Sequence, residues 1–319
     1  MTLLRKVKER KKAYELADPL PEGQVMKDLS GNMWKLGKAF ATGGFGLIYE
    51  VQKWMSAKRM KTLGIPTYIG SGCLEKNGKR YRFMVMERFG TDIHKVFEQH
   101  GRKFSPKTVF TIALKLVDAL EFIHENEYVH ADIKGSNLLL GLKRGHKDDV
   151  YLVDFGLAYR FTCDGKHREY FEDKRRQHDG TIEYTSRDAH RGVMPSRRGD
   201  MEILGYCLLQ WLAGKLPWES NLKDPIFVRD QKFKYMKNIQ GLMKVCFPKG
   251  GGPIQLAQYL TYVDKLSYTD RPDYNYIRTI FTTALKDLGL RVDGRLDLTT
   301  GESVEVKEQQ LQLQSLQLH

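Results

Sequence analysis

Residues 128–140 read YVHADIKGSNLLL and place Asp132, Lys134 and Asn137 in one loop. Fourteen residues past that stretch, after the apolar run Tyr151, Leu152 and Val153, comes Asp154-Phe155-Gly156. Either motif alone is weak, because a D-x-K-x-x-N spacing and a DFG tripeptide both arise by chance. Together, in this order, and flanked by runs that read as short buried strands, they constrain the fold more than any other part of the chain. Leu138, Leu139 and Leu140 also read as core in their own right.

The surroundings supply the frame. A basic stretch, LRKVKERKKAYEL at 4–16, is cut off by Pro19, Pro21 and Gly23 and reads as an appendage. Residues Trp34 to Val51 look like two short strands around a glycine-rich turn, and 52–63 have helix-forming composition ended by Gly64 and Pro66. A second hairpin follows over 68–86, turning at Asn77-Gly78. Beyond Gly90 the pattern becomes amphipathic helix. Ser105 and Pro106 read as cap and first turn before Val109, Ile112, Leu116, Leu120 and Ile123. Ile203, Leu204, Cys207, Leu208, Trp211 and Leu212 mark another helix, with Gly214 placed to end it. The reading is α+β: a basic segment at 1–22, a small strand-rich lobe at 23–89, a helical lobe at 90–290, and a tail at 291–319 expected to be flexible.

Composition adds limits. With 41% hydrophobic residues the chain fills a real core, and a net charge of +13 favours acidic or nucleic-acid-associated partners. Cys73, Cys163, Cys207 and Cys246 lack metal-type spacing, and no secretory leader is apparent, so reduced thiols in the nucleus or cytoplasm are expected. No apolar run is long enough to cross a bilayer. Oligomeric state is left open.

The two-part motif resembles the catalytic loop and metal-binding turn of protein kinases. The segments HDGTIEYTSRDAH at 178–190, PSRRGDMEILGYCLLQWLAGKLPWE at 195–219, NLKDP at 221–225 and LSYTDRPDYNYIR at 266–278 narrow the resemblance to the vaccinia-related kinases of the casein kinase I superfamily. SGCLEKNGKRYRFMVMERFG at 71–90 extends it upstream. The resemblance implies a bilobal kinase fold that uses ATP and magnesium (Mg2+) to phosphorylate a serine or threonine of a protein substrate. It makes Asp132 the acceptor of the substrate hydroxyl's proton and Lys134 the charge neutralising the moving phosphoryl group. Asn137 and Asp154 become magnesium ligands, with Thr181 bracing Asp132 and Lys134 and with Asp200 anchoring the loop's backbone. Leu139 would floor the adenine site, Met86 guard its back, Ile48 cover it, and Glu87 and Phe89 offer hinge backbone. Gly43, Gly44 and Gly46 would approach the phosphates, although Ala41 stands where the first glycine usually is. Ala131 replaces a usual glycine and Phe155 a usual tyrosine; neither is a ligand-donating group. Without a loop arginine, switching by a phosphorylated activation segment is not expected.

Something else is missing. After Glu50 a kinase continues into strand three, with its lysine, and then helix C, with the partner glutamate; here about forty such residues are absent and the chain passes straight to Val51. Strand two, 45–51, offers no substitute lysine, and Lys53 and Lys58 sit among charged neighbours like a solvated helix face. The expectation is an impaired kinase with a loosened small lobe. A pseudokinase-like scaffold without turnover is the alternative, and nucleic-acid binding through the basic segment has no motif behind it.

Overall fold

The computed structural model describes residues 25–31, 33–35, 63–76, 78–250 and 252–298. These fall into two compact units: 25–35 and 68–87 make the smaller, and 63–67 and 88–298 the larger.

In the smaller unit, β1 (Val25–Lys27) pairs antiparallel with β2 (Met33–Lys35), and β3 (Tyr68–Lys76) with β4 (Lys79–Met86). Lys76 pairs with Lys79 across the turn, and Gly78 adopts φ +70°, the backbone that an Asn-Gly turn permits. Asp28 is buried and accepts from the Ser30 N–H at 2.9 Å, while Leu29 N–H donates to Ser71 O at 3.0 Å, tying the first hairpin to the second. The expected glycine-rich hairpin, with Gly43, Gly44, Gly46 and Ile48, lies outside the described residues, as do Lys53 and Lys58.

Among the described residues, the larger unit begins its helices with α1 (Ile93–Gln99) and α2 (Pro106–Glu125). Ser105 caps α2 by accepting from Thr108 N, and Pro106 opens it, as the sequence indicates. Next come β5 (Tyr128–Val129), β6 (Leu138–Leu140), β7 (Val150–Leu152), β8 (Tyr159–Arg160), β9 (Thr162–Cys163) and β10 (Lys166–His167). Among the described residues these strands form two-stranded sheets: β5 with β8, β6 with β7, and β9 with β10. Then follow α3 (Arg187–Arg191), α4 (Arg197–Ala213), α5 (Pro225–Met236), α6 (Ile239–Cys246), α7 (Ile254–Asp264) and α8 (Tyr274–Asp287). Gly214 ends α4 at φ +91°, where a left-handed residue closes the helix.

The core forms where α2 lays Val109, Ile112, Leu116 and Leu120 against α8 and α4, and each such side chain contributes about 1.5–3 kcal/mol on burial. Helix α4 is buried all round from Gly199 to Leu212, so its polar residues Asp200, Glu202 and Gln210 must find partners inside the protein. Asp200 and Gln210 find theirs in loops around the candidate site, and Glu202 finds Arg187 at the start of α3.

Two segments pack differently from the sequence reading. Leu63, Gly64 and Ile65 belong to the large unit: they are buried, and Gly64 O accepts from Leu152 N at 2.7 Å. Residues 291–298, counted above with the flexible tail, are tied to α1 and α2. Asp297 O accepts from Thr108 Oγ1 at 2.7 Å, Leu298 O meets His100 Nε2 at 3.0 Å, and Lys107 pairs with Asp293 at 2.8 Å. These bonds are largely to backbone, which composition does not reveal.

Gly192 ends α3 at φ +79°, and a β-carbon there would lie 2.0 Å from the backbone oxygen of Asp173. Gly192→Ala is therefore expected to destabilise the chain by more than the roughly 1–2 kcal/mol of a left-handed backbone alone. Urea denaturation checks this; a midpoint equal to the parent's would show that 173–177 moves aside freely.

Candidate active site

The loop between β5 and β6 carries the motif. His130 is fully buried, and burial holds its imidazole below the usual histidine range, so the ring is neutral near pH 7. A neutral ring fits the bonds on either side of it: Nε2 donates to Val153 O at 3.0 Å, and Nδ1 accepts from Asp132 N at 3.3 Å. The Phe155 ring meets its edge with centroids 4.9 Å apart. Ala131 sits at φ +66°, a strained conformation for a residue with a β-carbon, which explains why glycine suits this position. What holds it there is Asp200 on α4. Its carboxylate accepts from the N–H groups of His130 and Ala131, both at 2.8 Å, and from His124 Nε2 at 2.9 Å. His124 Nδ1 in turn meets the Tyr274 hydroxyl at 2.7 Å, so α2, α4 and α8 all support one loop.

Asp132 is 8% exposed. Its Oδ1 accepts from Thr181 Oγ1 at 2.6 Å, and its Oδ2 accepts from Lys134 Nζ at 2.8 Å and Asn137 Nδ2 at 3.2 Å. Lys134 also donates to Thr181 Oγ1 at 2.8 Å, closing a triangle of carboxylate, ammonium and hydroxyl. A carboxylate offers about four acceptor positions, so these three bonds leave one in which a hydroxyl proton can be taken.

Asn137 spends its amide N–H groups on Asp132, including a 2.8 Å bond to the backbone oxygen, which leaves the amide oxygen as the end suited to a hard cation. Backbone pairing brings the second oxygen donor alongside. Leu138 pairs with Leu152, and Val153 N donates to Asn137 O at 2.9 Å, so Asp154 follows directly after the bonded pair. Asp154 takes φ +63°, a conformation aspartate tolerates, and its Oδ1 accepts from Gly156 N at 3.2 Å. An amide oxygen and a carboxylate held on adjoining strand ends fit magnesium.

Of the remaining predicted positions, Leu139, Phe89 and Glu87 are among the described residues. Leu139 is half-buried on β6, opposite Tyr151, and Phe89 places its ring 4.6 Å from that of Tyr151. Gly90 N donates to Leu140 O at 2.7 Å and Leu140 N to Thr91 O at 3.0 Å, which lines the segment after Phe89 along β6. Glu87 is half-buried and is the last residue of the smaller unit.

The loop that delivers Thr181 is held by residues the sequence reading did not single out. Thr181 O accepts from Tyr184 N and Thr185 N, and Thr185 Oγ1 donates to Asp179 O at 2.6 Å. Tyr184 OH donates to Gln210 on α4 at 2.8 Å, and Trp218 Nε1 donates to Glu183 O at 2.8 Å. Arg187 donates through its backbone N and Nε to Glu202 at 2.8 and 3.1 Å. Burial works against charge on Glu202, but Arg187 outweighs it and holds the carboxyl below the usual range. None of these has a local motif; only the buried, polar-bearing pattern of α4 hints at them.

Comparison with known proteins agrees with this geometry. A model of the protein kinase domain family matches residues 57–249, more than half of the chain. Human serine/threonine-protein kinase VRK2 is 42% identical over 339 residues, covering 93% of this chain and 65% of that protein. Nucleosomal histone kinase 1 of Drosophila melanogaster is 37% identical over 330 residues, covering 91% of this chain and 54% of its own. The chain thus spans less than two thirds of the length of either relative. The solved structure of vaccinia related kinase 3 superposes with a TM-score of 0.73 at 31% identity, covering 86% of this chain and 93% of that one. With both motifs in one site and these relatives along most of its length, the chain belongs to the protein kinase family, on its vaccinia-related branch.

Proposed function

We propose that this chain is a serine/threonine protein kinase that moves the γ-phosphate of ATP to a protein hydroxyl, with turnover impaired by the lost lysine and glutamate of the smaller lobe. The observation that carries the reading is the Asp132–Lys134–Thr181 triangle. Asp132 takes the proton of the acceptor hydroxyl at its remaining acceptor position, Lys134 faces the charge that develops on the transferred group, and Thr181 fixes both. Asn137 and Asp154 would hold magnesium, which supplies charge neutralisation at the phosphates. Phe89, Glu87 and Leu139 would receive adenine, and Gly43, Gly44, Gly46 and Ile48 would cover the nucleotide.

The lengths of the alignments support the lost segment. An alignment of 339 positions is longer than the 319-residue chain, so the human relative has positions with no counterpart here. The same holds for the 330-position alignment with the Drosophila protein. That relative's name and the net charge of +13 make a nucleosome, with its DNA phosphates, a fitting first substrate, and the nucleus a fitting place.

The test is transfer of labelled phosphate from ATP and magnesium to histone and to an acidic protein, run beside Asp132→Asn. Expected is slow transfer that the substitution abolishes. Transfer that survives Asp132→Asn would defeat the assignment. Nucleotide binding with no transfer at all would favour the scaffold reading, which rests on the same missing lysine.

A further inference from the structure

Lys232 on α5 is completely buried beneath the backbone that follows Thr181. Its Nζ donates to Thr185 O at 2.7 Å and Ile182 O at 2.9 Å, and lies 3.3 Å from His190 Nε2. The faces of Tyr206 and Trp218 stand 5.1 and 5.5 Å away. Two carbonyls and two aromatic faces offset part of the cost of burying a cation. The chain of groups continues outward. His190 is 0% exposed, and its Nδ1 lies 2.8 Å from Nδ1 of half-buried His178, a distance that requires one proton between the rings. His178 is held at φ +67° with its N–H on Ala189 O at 2.9 Å, so α3 fixes both its ring and a strained backbone.

We propose that Lys232 is the positioning residue for the loop Thr181–Thr185, and that it works as the buried end of a proton relay running through His190 to His178. That this loop serves the acceptor hydroxyl rests on the kinase reading; the relay itself does not.

The protons balance in two states. With Lys232 as ammonium, its third N–H points to His190 Nε2, the Nδ1–H of His190 donates to His178 Nδ1, and His178 keeps its proton on Nε2. Loss of that Nε2 proton to solvent moves one proton from His190 to His178 and one from Lys232 to His190. Lys232 is then an amine whose lone pair accepts from His190 Nε2–H, and His190 Nδ1 accepts from His178 Nδ1–H. Both states keep the two carbonyl bonds and satisfy each of the three side chains within the network, but they leave His178 as opposite tautomers.

The neighbours set where the exchange occurs. Glu202 and Cys207 on α4 and Glu183 in the loop face Lys232, while Arg229 on α5 faces both histidines; Arg187 on α3 is occupied by Glu202. Burial brings Lys232 down to about 7 and His190 to about 2, so the lysine titrates near neutrality through a ring that stays uncharged.

The test is NMR of ring-15N-labelled histidine in the full chain, titrated from about pH 5.5 to 9. His178 is expected to pass from the Nε2–H to the Nδ1–H tautomer near pH 7, and Lys232→Met to abolish that passage. In Lys232→Met, amide exchange corrected for intrinsic rates is expected to rise at least about tenfold across 179–186, with α2 and α4 within about twofold of the parent. A fixed His178 tautomer in the parent overturns the relay, and this titration decides the matter even where Lys232→Met does not fold. Exchange that rises equally in loop and helices, or not at all in the loop, overturns the positioning role. Neither measurement uses ATP, so failure of phosphate transfer leaves both intact.

Discussion

Inserting between Glu50 and Val51 the strand-three and helix-C segment of a vaccinia-related kinase is expected to raise turnover by more than about a hundredfold. One preorganised charge donor is typically worth about 3 kcal/mol of transition-state stabilisation, and here a lysine, its glutamate partner and the strand that carries them return together. Phosphoryl transfer depends on holding nucleotide and hydroxyl in line more than on covalent help from the protein, so the gain in positioning adds to the gain in charge. The large unit needs no repair for this: Asp132, Lys134, Thr181 and Asn137 are already bonded to one another. Phosphate transfer by the present and lengthened chains, each beside its Asp132→Asn variant, is the measurement. Near-equal rates for the two chains, both abolished by Asp132→Asn, would show that the missing segment is dispensable.

Asp200→Ala is expected to destabilise the large unit by about 3–5 kcal/mol, because it removes one partner of a buried charged network. Asp200 is 1% exposed, and its loss strands the N–H groups of His130 and Ala131 and the Nε2 of His124. Ala131 would also lose what holds it in a left-handed backbone, so the motif loop should relax as the protein weakens. Asp200→Asn keeps the shape and one acceptor oxygen, and a smaller loss of about 1–3 kcal/mol is expected. Urea denaturation followed by far-ultraviolet circular dichroism reads both. An Asp200→Ala midpoint within about 0.5 kcal/mol of the parent would mean that the loop finds other support.

What was legible in the sequence is what local chemistry decides. Ser105 with Pro106, Gly214 after Trp211 and Leu212, and the Asn77-Gly78 turn all announce themselves within a few residues, and the helices and hairpin lie where those signals put them. The motif residues were visible through their spacing. The network behind them was not, since Lys232 on a helix with Arg229, Asp230 and Lys234 looks like one more solvated charge until the fold buries it under Thr185. The anchoring of 291–298 escaped for another reason: it runs largely through backbone carbonyls and amides, which every residue possesses. The strain at Ala131 and His178 likewise becomes visible only with backbone angles.

The bonds that shape the motif loop also have an order in time. Asp200 stands 70 residues after His130, whose N–H it accepts, and Tyr274 stands 150 residues after His124. A nascent chain leaving the ribosome therefore displays the whole Asp132-to-Asp154 sequence well before it owns the partners that give the loop its geometry. Closing so long a loop carries an entropic cost that the α2–α4–α8 core must meet first. The chemistry of this unit is thus assembled late, as one event with its helical core, and a chain interrupted before Asp200 would contain every motif residue without the arrangement that makes them a site.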